Sequence, residues 1–327
     1  MEPFKFVRAQ DAPTAINLHT ASNTKFVAGG TNLIDLMKLN IETPRQVVDI
    51  NGIKLNTIEK LPNGAMRIGA LVKNSDLAYH PLISKNYRVL SEALLSGASA
   101  QLRNMASVGG NLLQRTRCPY FYNTEFPCNK RIPGSGCPAI NGFNRNNAIL
   151  GTSDHCIAAH PSDMCVAMAA LGAVINVHGQ KGSRAIPFAD FYLLPGNTPH
   201  IENTLKADEL ITSVDLPAIP YANKSHYLKV RDRASYEFAL TSAAVILNIQ
   251  NGRIQHAHIA LGGVGTKPWR ATLAEKVLTG AQANEQTYRT AAEAVLSQAK
   301  PYKYNAFKIE LAKRTLVRAL TTVGNMS

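Results

Sequence analysis

The 327-residue sequence lacks long apolar runs and a recognisable export signal. No window approaches about eighteen consecutive apolar residues, the length at which a transmembrane helix is predicted. The start "MEPFKFVRAQDAPTAINL" has no basic segment followed by an apolar one, so we expect no secretory signal of its own. With 45% hydrophobic and 17% charged residues, the sequence instead predicts a globular protein with a sizeable core.

The sequence also lacks any concentrated block of charge. Lysine and arginine number 35 against 22 aspartates and glutamates, which gives a formal net charge of +13. The basic residues are scattered, as in "RTR", "NKR" and "KVRDR", without a run of five or more and without interleaved aromatics that would stack bases. We therefore expect no nucleic-acid role, and interpret the excess as a basic surface for acidic protein partners or anionic cofactors.

Cysteine is scarce but unevenly placed. Five cysteines are an odd number and too few for a disulfide scaffold in a chain of this size. Three lie within "CPYFYNTEFPCNKRIPGSGC", and Cys118, Cys128, Cys137 and Cys156 together have the spacing C-x9-C-x8-C-x18-C. This spacing matches neither a ferredoxin run nor a zinc ribbon, so an iron-sulfur cluster, a zinc ion and unligated thiols all stay open. Cys165, in the apolar "DMCVAMAAL", is predicted to be a buried, inert thiol.

The hydrophobic pattern predicts an α+β or α/β chain. Short β-like runs such as "KFVAGG", "RQVVDI" and "MRIGALV" alternate with helical or turn segments, and "DLAYHPLISKNYRVLSEALLSGAS" has helical spacing. Asn251-Gly252 between two β-rich arms predicts a hairpin, and "YNAFKIELAKRTLVRALTT" predicts an amphipathic helix with Phe307, Leu311, Leu316 and Leu320 near one face. Residues 114–156 have no periodicity, and a segment that long is expected to be functional or disordered.

Two glycine motifs point to a phosphate ligand. In "KFVAGGTNLIDL" (25–36) and "SVGGNLLQ" (107–114), paired glycines lie where backbone N–H groups can turn inward around an anion. Each motif alone also fits a tight turn that binds nothing, but two of matching design suit a long diphosphate ligand. Neither is G-x-G-x-x-G, so a Rossmann fold is not indicated. Asp163 in "PSDM" either caps a helix or accepts hydrogen bonds from sugar hydroxyls.

Five segments in order resemble one family. "FVAGGTNL", "SVGGNLLQ", "HPSDM", "KVRDR" and "ALGGVGTKPWRA" are similar to the FAD-binding subunits of the molybdenum hydroxylases, the xanthine dehydrogenase and aldehyde oxidase group. The resemblance covers essentially the whole chain. Within the family it is nearest to the FAD and [4Fe-4S] subunits of bacterial periplasmic aldehyde oxidoreductases, through segments such as "NLLQRTRCPYFY" and "KVRDRASY".

The resemblance implies an α+β fold with two domains. Residues 1–218 would form an FAD-binding domain of the vanillyl-alcohol-oxidase (PCMH) type. Its two α+β subdomains would span 1–56 and 57–218, the second with an iron-sulfur insertion at 114–156. Residues 219–327 would form a C-terminal α+β domain with an antiparallel sheet packed against helices.

The resemblance also implies which residues bind FAD. The first loop would wrap the pyrophosphate, the second would be a further contact loop, Asp163 would hold sugar or ribityl hydroxyls, and Lys229 would lie near the isoalloxazine. Without the family, Lys229 is interpreted as an exposed cation beside a turn. No His or Cys stands in "KFVAGGTNL", so FAD is expected to be non-covalent, and no catalytic residue is expected on this chain. The expected cofactor-binding residues are Lys25, Phe26, Val27, Ala28, Gly29, Gly30, Thr31, Asn32, Leu33, Ser107, Gly110, Asn111, Asp163 and Lys229.

For the insertion, the resemblance implies a [4Fe-4S] cluster held by Cys118, Cys128, Cys137 and Cys156, with four-cysteine zinc as the alternative. His155 and His160 are interpreted as ordinary loop histidines. The cations near the cysteines would either offset thiolate charge or simply be solvated: Arg115, Arg117, Lys130 and Arg131.

The implied function is that of an electron-transfer subunit in a heterotrimeric, molybdenum-dependent aldehyde oxidoreductase. Partner [2Fe-2S] clusters, fed by a molybdenum-cofactor subunit, would pass electrons through FAD to an external acceptor. We expect export to the periplasm with a signal-bearing partner, with the cytoplasm as the alternative. Two rival functions are a stand-alone FAD oxidase or dehydrogenase with structural zinc, and a metal-stabilised interaction subunit without redox activity.

Overall fold

The structure is a computed structural model that describes residues 1–19 and 23–326. The α+β class predicted from the sequence is confirmed, because short helices alternate with strands of three sheets. The strands are β1 Lys5–Arg8, β2 Thr24–Val27, β3 Gln46–Asp49, β4 Ile58–Lys60, β5 Met66–Gly69, β6 Val174–Gly179, β7 Gly182–Pro187, β8 Leu210–Leu216, β9 Ser225–Val230, β10 Thr241–Gln250, β11 Arg253–Gly262 and β12 Trp269–Arg270. The helices are α1 Ala12–His19, α2 Leu33–Lys38, α3 Asn74–Tyr79, α4 Pro81–Asn86, α5 Arg88–Ser96, α6 Ala100–Met105, α7 Val108–Leu112, α8 Pro119–Tyr122, α9 Asp163–Leu171, α10 Phe188–Phe191, α11 Thr272–Leu278, α12 Glu285–Leu296 and α13 Phe307–Gly324.

The first sheet positions the first glycine loop. Its order is β1-β3-β2, and both pairings are parallel, so the carboxyl ends of the strands share one edge. Val47 and Val48 are buried on opposite faces of β3, as expected for a parallel sheet covered on both sides. At the shared edge β2 runs directly into Gly29 and Gly30 and then into α2. The loop therefore lies where ligands of parallel sheets bind.

The second sheet is antiparallel, with the order β4-β5-β8-β6-β7. Apolar residues on one of its faces, including Ile68, Ile175 and Val214, belong to the same core as α3, α5 and α9. All nine residues of α9 are buried. A helix that is apolar all round needs cover on every side, and α9 has it because it lies between this core and the third sheet.

The third sheet has the order β12-β11-β10-β9 and is antiparallel. The predicted hairpin is confirmed: Asn251 and Gly252 connect β10 to β11 with φ of 51° and 74°, as a two-residue primed turn requires. Alternate residues of β10 face opposite sides. Ala243 and Val245 pack against α11, α12 and α13, whereas Ala244 and Ile246 join the core that contains α5 and α9.

The predicted amphipathic helix is α13, but its buried face differs from the prediction. Leu316 and Leu320 are fully buried as expected, whereas Phe307 is 40% exposed. Lys308 is fully buried instead, because its ammonium donates to the backbone carbonyl groups of Asn147 (3.0 Å) and Gly263 (2.7 Å). The first turn of α13 is thus fixed by polar contacts to residues 147 and 263 and not by Phe307.

Residues 114–156, called the insertion below, are ordered but contain little regular structure. Apart from α8 they form one 3-10 turn, Pro138–Ile140. Side-chain bonds replace a core: buried Asn129 donates to the carbonyl of His155 and accepts from the N–H of Gly136. Ile149 and Leu150 at its end belong to the core of the third sheet. The predicted domain limits at residues 56 and 218 stay predictions.

Among the described residues, no helix combines the length and apolar character that crossing a bilayer requires.

Candidate functional site

The first glycine loop is built by close backbone packing. Gly30 has φ +72°, which favours glycine. A Cβ on Gly29 would lie 2.0 Å from the backbone oxygen of Met105, so only glycine fits there. The loop therefore rests directly on the segment that leads into the second glycine loop.

The second glycine loop is fixed by a helix cap. Ser107 is the N-cap of α7, and its Oγ accepts from the N–H of Gly110 at 3.2 Å. Gly109 approaches the second sheet closely, and its N–H donates to the carbonyl of Ala70 at 2.8 Å. A Cβ on Gly109 would lie 3.2 Å from Ala70 Cβ. Both glycine motifs thus belong to one packed unit.

A cavity of about 480 Å³, called the glycine-loop cavity, lies against both loops. The amide nitrogen of Asn32 is buried at its wall and has no well-aligned acceptor among the described residues. The sequence did not reveal the opposite wall, which comes from residues 200–211 and carries no motif. The predicted residues that line the glycine-loop cavity are Lys25, Phe26, Val27, Ala28, Gly29, Gly30, Thr31, Asn32, Leu33, Ser107 and Gly110.

A second cavity of about 330 Å³, called the Asp163 cavity, adjoins the first. The two cavities share Thr31, Asn32 and Gly110, so the two glycine loops lie at their junction. The remaining predicted cofactor residues, Asn111, Asp163 and Lys229, line this second cavity. The structure therefore brings all the sequence-predicted cofactor residues to one elongated cleft.

Asp163 is the first residue of α9 but not its cap. Ser162 is the N-cap, and its Oγ accepts from the N–H of Cys165. Both carboxylate oxygens of Asp163 have partners: Tyr227 donates to Oδ1 at 2.6 Å, and Lys229 Nζ lies 2.8 Å from Oδ2. The side chain of Lys229 is 3% exposed, so the interpretation of Lys229 as an exposed cation is wrong.

Tyr227 was missed by the sequence analysis. It lies two residues before Lys229 on β9, so both side chains point to the same face of the strand. Because its single proton goes to Asp163, the Tyr227 hydroxyl accepts a hydrogen bond from Ser242, whose Oγ lies 2.9 Å away. Burial raises the pKa of Tyr227 well above its usual value, and the adjacent Asp163 carboxylate adds to this shift. Strand alternation from Lys229 was the signal available in the sequence.

Four cations line the Asp163 cavity, and they differ in how their charges are compensated. Lys229 is paired with the carboxylate just described, and Arg233 lies 3.5 Å from Glu237. Arg103 donates to two backbone carbonyl groups. Arg117 differs from the other three, as its contacts show.

Arg117 is partly buried between aromatic rings. Its guanidinium carbon lies 5.2 Å from the ring centroid of Phe238 and 5.8 Å from that of Tyr122. It donates one hydrogen bond, to the backbone carbonyl of Arg115. Within the part of the chain that the structure describes, Arg117 forms no ion pair, although the charge of Asp35 acts on it from further away. Burial lowers its pKa.

The four cysteines of the insertion are free thiols gathered in one region. The charges of Cys118 and Cys128 act on the pKa of Cys137, and those of Cys137 and Cys118 act on the pKa of Cys156. Burial raises the pKa of Cys118 and Cys137, and it raises that of Cys156 to about 12. Without a bound metal the three thiols are therefore protonated at neutral pH, and ligation would displace their protons.

Polar hydrogens approach two of the sulfurs. Asn147 Nδ2 donates to Cys118 Sγ and the N–H of Ala158 donates to Cys156 Sγ, both at 3.5 Å. Such N–H···S contacts are among the groups that adjust iron-sulfur clusters. However, across residues 1–19 and 23–326 no three His, Cys, Asp or Glu side chains converge in an arrangement that holds a metal ion.

An ionic chain connects the insertion to the first glycine loop. Lys25 pairs with Glu42 at 3.2 Å, Arg115 bridges Glu42 (2.7 Å) and Glu202 (2.6 Å), and Lys130 pairs with Glu202 at 2.6 Å. Burial by itself would raise the pKa of Glu202, but Arg115 and Lys130 outweigh it and lower the pKa. Sequence reasoning missed both glutamates, which lie in no motif.

The cations of the insertion are therefore not simply solvated. Arg131 donates to the backbone carbonyl groups of Tyr120, Phe121 and Asn123 and so closes the turn around α8. The charge of Lys130 acts on the pKa of Cys156 and lowers it, against the larger effect of burial.

Cys165 is fully buried, as predicted, and burial raises the pKa of its thiol to about 12. The two histidines differ. His155 lies in a turn of the insertion, whereas the Nε2 of His160 is buried without a hydrogen bond to any described residue. Burial lowers the pKa of His160 to about 3, so the ring is neutral at physiological pH.

Comparison with protein families gives two matches. Residues 2–219 match the model described as "FAD binding domain in molybdopterin dehydrogenase", and residues 226–323 match "CO dehydrogenase flavoprotein C-terminal domain".

Comparison with individual proteins gives relatives of the full length. The aldehyde oxidoreductase FAD-binding subunit PaoB of Escherichia coli (strain K12) is 51% identical over 323 residues, covering 98% of each chain. The glyceraldehyde dehydrogenase medium chain of Sulfolobus acidocaldarius is 29% identical and covers 91% of this chain and 89% of its own. A solved structure of reconstituted CO dehydrogenase from Oligotropha carboxidovorans superimposes with a TM-score of 0.78, at 23% identity and over 100% of this chain and 99% of the other.

Proposed function

The chain belongs to the FAD-binding subunits of the molybdenum hydroxylases, and from this premise we propose that it is the FAD- and [4Fe-4S]-containing electron-transfer subunit of an aldehyde oxidoreductase complex. One observation carries the proposal: two glycine loops meet where two cavities join, so a single long diphosphate ligand fits across both.

The residues of the cleft fit FAD. The loops at the junction would hold the diphosphate, since Gly29, Gly30 and Gly110 line the cleft without side chains and the buried amide nitrogen of Asn32 has no well-aligned acceptor among the described residues. The adenosine would occupy the glycine-loop cavity. The isoalloxazine would occupy the Asp163 cavity, beside Phe238 and the cations described above. Bound FAD would supply the hydride and single-electron chemistry that protein side chains lack.

The residues of this chain would bind the cofactor non-covalently and fix its position. Asp163, held by Tyr227 and Lys229, presents a fixed carboxylate to the cavity, where it can accept from ribityl hydroxyls. With two donors in place, the carboxylate has a defined orientation before the ligand arrives. No residue of "KFVAGGTNL" can form a covalent flavin bond, so binding would be non-covalent and reversible.

We propose that Cys118, Cys128, Cys137 and Cys156 hold the [4Fe-4S] cluster. Four free thiols, the mutual effects of three of them on the pKa values of Cys137 and Cys156, two N–H···S contacts and the Lys130 charge near Cys156 support this assignment. A tetrahedral zinc ion requires four sulfurs about 2.3 Å from one point. The thiols do not converge in that way. A four-iron cube binds each thiolate through a different iron atom and so accommodates ligands that are further apart.

Two matched variants test the ligand set. Cys128→Ser is expected to lose iron and acid-labile sulfide from the purified protein while FAD stays bound. Cys165→Ser, which alters a buried thiol outside the insertion, is expected to keep both. Zinc in place of iron in the parent protein would support the structural-zinc alternative and overturn the cluster proposal.

The proposed electron route runs through two partner subunits. A molybdenum-cofactor subunit would oxidise the aldehyde, a [2Fe-2S] subunit would transfer the electrons to this chain, and FAD would pass them to an external acceptor. The relative at 51% identity is itself named as a subunit of an aldehyde oxidoreductase. Affinity purification from the native host, with subunit identification, is expected to recover a heterotrimer. Recovery of this chain alone with full aldehyde-oxidising activity would contradict the proposal.

We also propose that the complex acts in the periplasm and reaches it folded, with the signal carried by a partner. The basis is the resemblance of the insertion and flanking segments to periplasmic aldehyde oxidoreductases. Cell fractionation is expected to place the assembled complex in the periplasm. Deletion of the partner's leader should then retain all subunits in the cytosol, and an assembled complex found in the cytosol of unmodified cells would contradict the proposal.

A further inference from the structure

We propose that Arg117 is a flavin-contacting cation that stabilises the negative charge gained by the isoalloxazine on reduction, and that this residue connects the cysteine insertion to the flavin. The inference rests on the proposed FAD site and extends it to a residue outside the glycine motifs. Two observations support it: the position of Arg117 between two cavities, and the lack of a carboxylate partner in the described part of the chain.

Arg117 lies between two cavities. It lines the Asp163 cavity and also a third cavity of about 250 Å³, which reaches Cys118. Asp163 and Phe238 line both cavities as well. Arg117 immediately precedes Cys118 in the chain, so its backbone belongs to the insertion while its side chain belongs to the flavin cleft.

Arg103 and Arg117 are the cations of the cleft without a carboxylate partner among the described residues, and Arg117 donates one backbone hydrogen bond where Arg103 donates two. Lys229 is the cation that the family resemblance places near the flavin, but its ammonium lies 2.8 Å from Asp163 and donates to the carbonyl of Ser96. That pair is close to neutral overall. Arg233 is paired with Glu237. For Arg117 the described residues provide one backbone carbonyl and two ring faces, and no carboxylate within ion-pair distance.

A partly buried cation of this kind favours an anion in the adjoining space. Partial burial of Arg117 reduces screening by solvent, so the Coulomb attraction is stronger than for a fully exposed cation. A guanidinium has five N–H donors, and the described residues accept one hydrogen bond from Arg117. Stacking on Phe238 and Tyr122 limits the motion of the planar group. Arg117 is therefore preorganised for the electron-rich edge of a reduced flavin.

The test is the two-electron midpoint potential of the flavin in the purified complex. In Arg117→Gln the ratio of reduced to oxidised flavin at a fixed potential should fall at least tenfold, which corresponds to about 30 mV. Arg117→Lys retains a charge and should shift the ratio less. Arg145→Gln is the matched control, because it removes a positive charge from the insertion that pairs with Asp232 and does not line the cleft. It should leave the ratio unchanged.

A second neutral variant keeps the inference testable if Arg117→Gln does not fold. If Arg117→Gln does not retain its cofactors, Arg117→Met fills the space between the two rings and is expected to show the same fall. An unchanged midpoint potential in either neutral variant with FAD bound would overturn the inference while leaving the FAD proposal intact. A parent protein that never binds FAD would instead contradict the proposed function itself.

Discussion

A single hydrogen atom at the first glycine loop decides whether that loop can pack against the segment before the second loop. The hydrogen of Gly29 faces the carbonyl oxygen of Met105, and a methyl group there would lie 2.0 Å from that oxygen. The constraint comes from the contact between two loops that are far apart in sequence. Gly29 is therefore required by a close backbone contact and not by a positive φ.

Gly29→Ala is expected to weaken FAD binding at least tenfold and to lower the free energy of unfolding by about 2 kcal/mol, because the loops must separate. Equilibrium titration with FAD and urea unfolding measure the two effects. Gly280→Ala is the control: it adds a methyl group in open space at φ +81°. It should cost about 1 kcal/mol of stability and leave FAD affinity unchanged. Equal affinity in Gly29→Ala and the parent would contradict the structure of this loop.

At the residue scale, the role of a residue was predictable from the sequence where that role depends on residues nearby in the chain. The paired glycines have local roles in turns, so their positions were predictable, whereas a cap was considered at Asp163 and lies at Ser162. Tyr227, Glu42 and Glu202 were not predictable, because each acquires its role from a partner distant in the chain. Arg117 was noticed only as a charge beside a cysteine. Its place in the flavin cleft depends on how the insertion folds back.

At the scale of elements, the insertion is held by polar contacts in place of a core. Glu202 lies outside the insertion and joins Arg115 to Lys130. Removal of one member of a poorly solvated ion pair leaves the others uncompensated, which is costly. The Glu202 carboxylate is thus a point where the insertion depends on the FAD-binding domain.

Glu202→Gln is expected to lower the free energy of unfolding by about 2 to 3 kcal/mol and to reduce the iron retained after purification. Glu310→Gln is the control, since Glu310 pairs with Arg314 on the exposed surface of α13. That change should leave the free energy of unfolding nearly unchanged, because the pair is solvent-exposed. Urea unfolding and iron analysis measure both variants. Similar losses in the two would show that Glu202 has only a surface role.

Helix α13 gives a prediction about pH. Burial, with a smaller contribution from the Arg145 charge, lowers the pKa of Lys308 from 10.5 to about 7 in the folded protein. Between about pH 7 and pH 10.5, Lys308 binds more protons in the unfolded chain than in the folded one. The free energy of unfolding therefore rises with pH in this range. The contribution of Lys308 is complete above pH 10.5 and is lost as the pH falls through about 7.

Urea unfolding of the parent and of Lys308→Met at pH 7.5 and 9.0 tests this linkage. The parent is expected to gain up to about 2 kcal/mol more than the variant over this interval, since the slope is at most about 1.4 kcal/mol per pH unit. The methionine variant leaves the two carbonyl acceptors unpaired, which lowers its stability equally at both pH values. Parallel pH dependences would contradict a lowered pKa for Lys308.

Elements with local signals were predicted well, and those held by distant contacts were not. The Asn251-Gly252 turn specifies its hairpin within a few residues. By contrast, the face of α13 was predicted from apolar spacing, but a buried lysine replaces Phe307 because carbonyl acceptors from residues 147 and 263 face it. No periodicity exists within 114–156, so its folded path was not predictable.

At the scale of the whole molecule, the third sheet is shared between two cores. One face packs against the C-terminal helices and the other against α5 and α9 of the FAD-binding region. Strand alternation indicates that a sheet has two faces. It does not identify the element that covers each face, so the sequence predicted the sheet but not its central position. The proposed flavin cleft depends on this packing, because Lys229 comes from β9 and Asp163 from α9.

The shared sheet predicts one cooperative unfolding transition. Trp269 is the single tryptophan and lies in the third sheet, so its fluorescence reports the C-terminal region. Release of FAD reports the cleft. The two signals are expected to change at the same urea concentration, as in a two-state transition. A Trp269 transition clearly separated from flavin release would contradict a common core.

We propose that this chain carries both a non-covalent FAD and a four-cysteine [4Fe-4S] cluster. Both cofactors can be measured by chemical analysis of the anaerobically purified protein. The expected result is about one FAD released by denaturation, with about four iron and four acid-labile sulfide per chain. Zinc without sulfide, or a protein that contains no flavin after incubation with FAD, would contradict the claim.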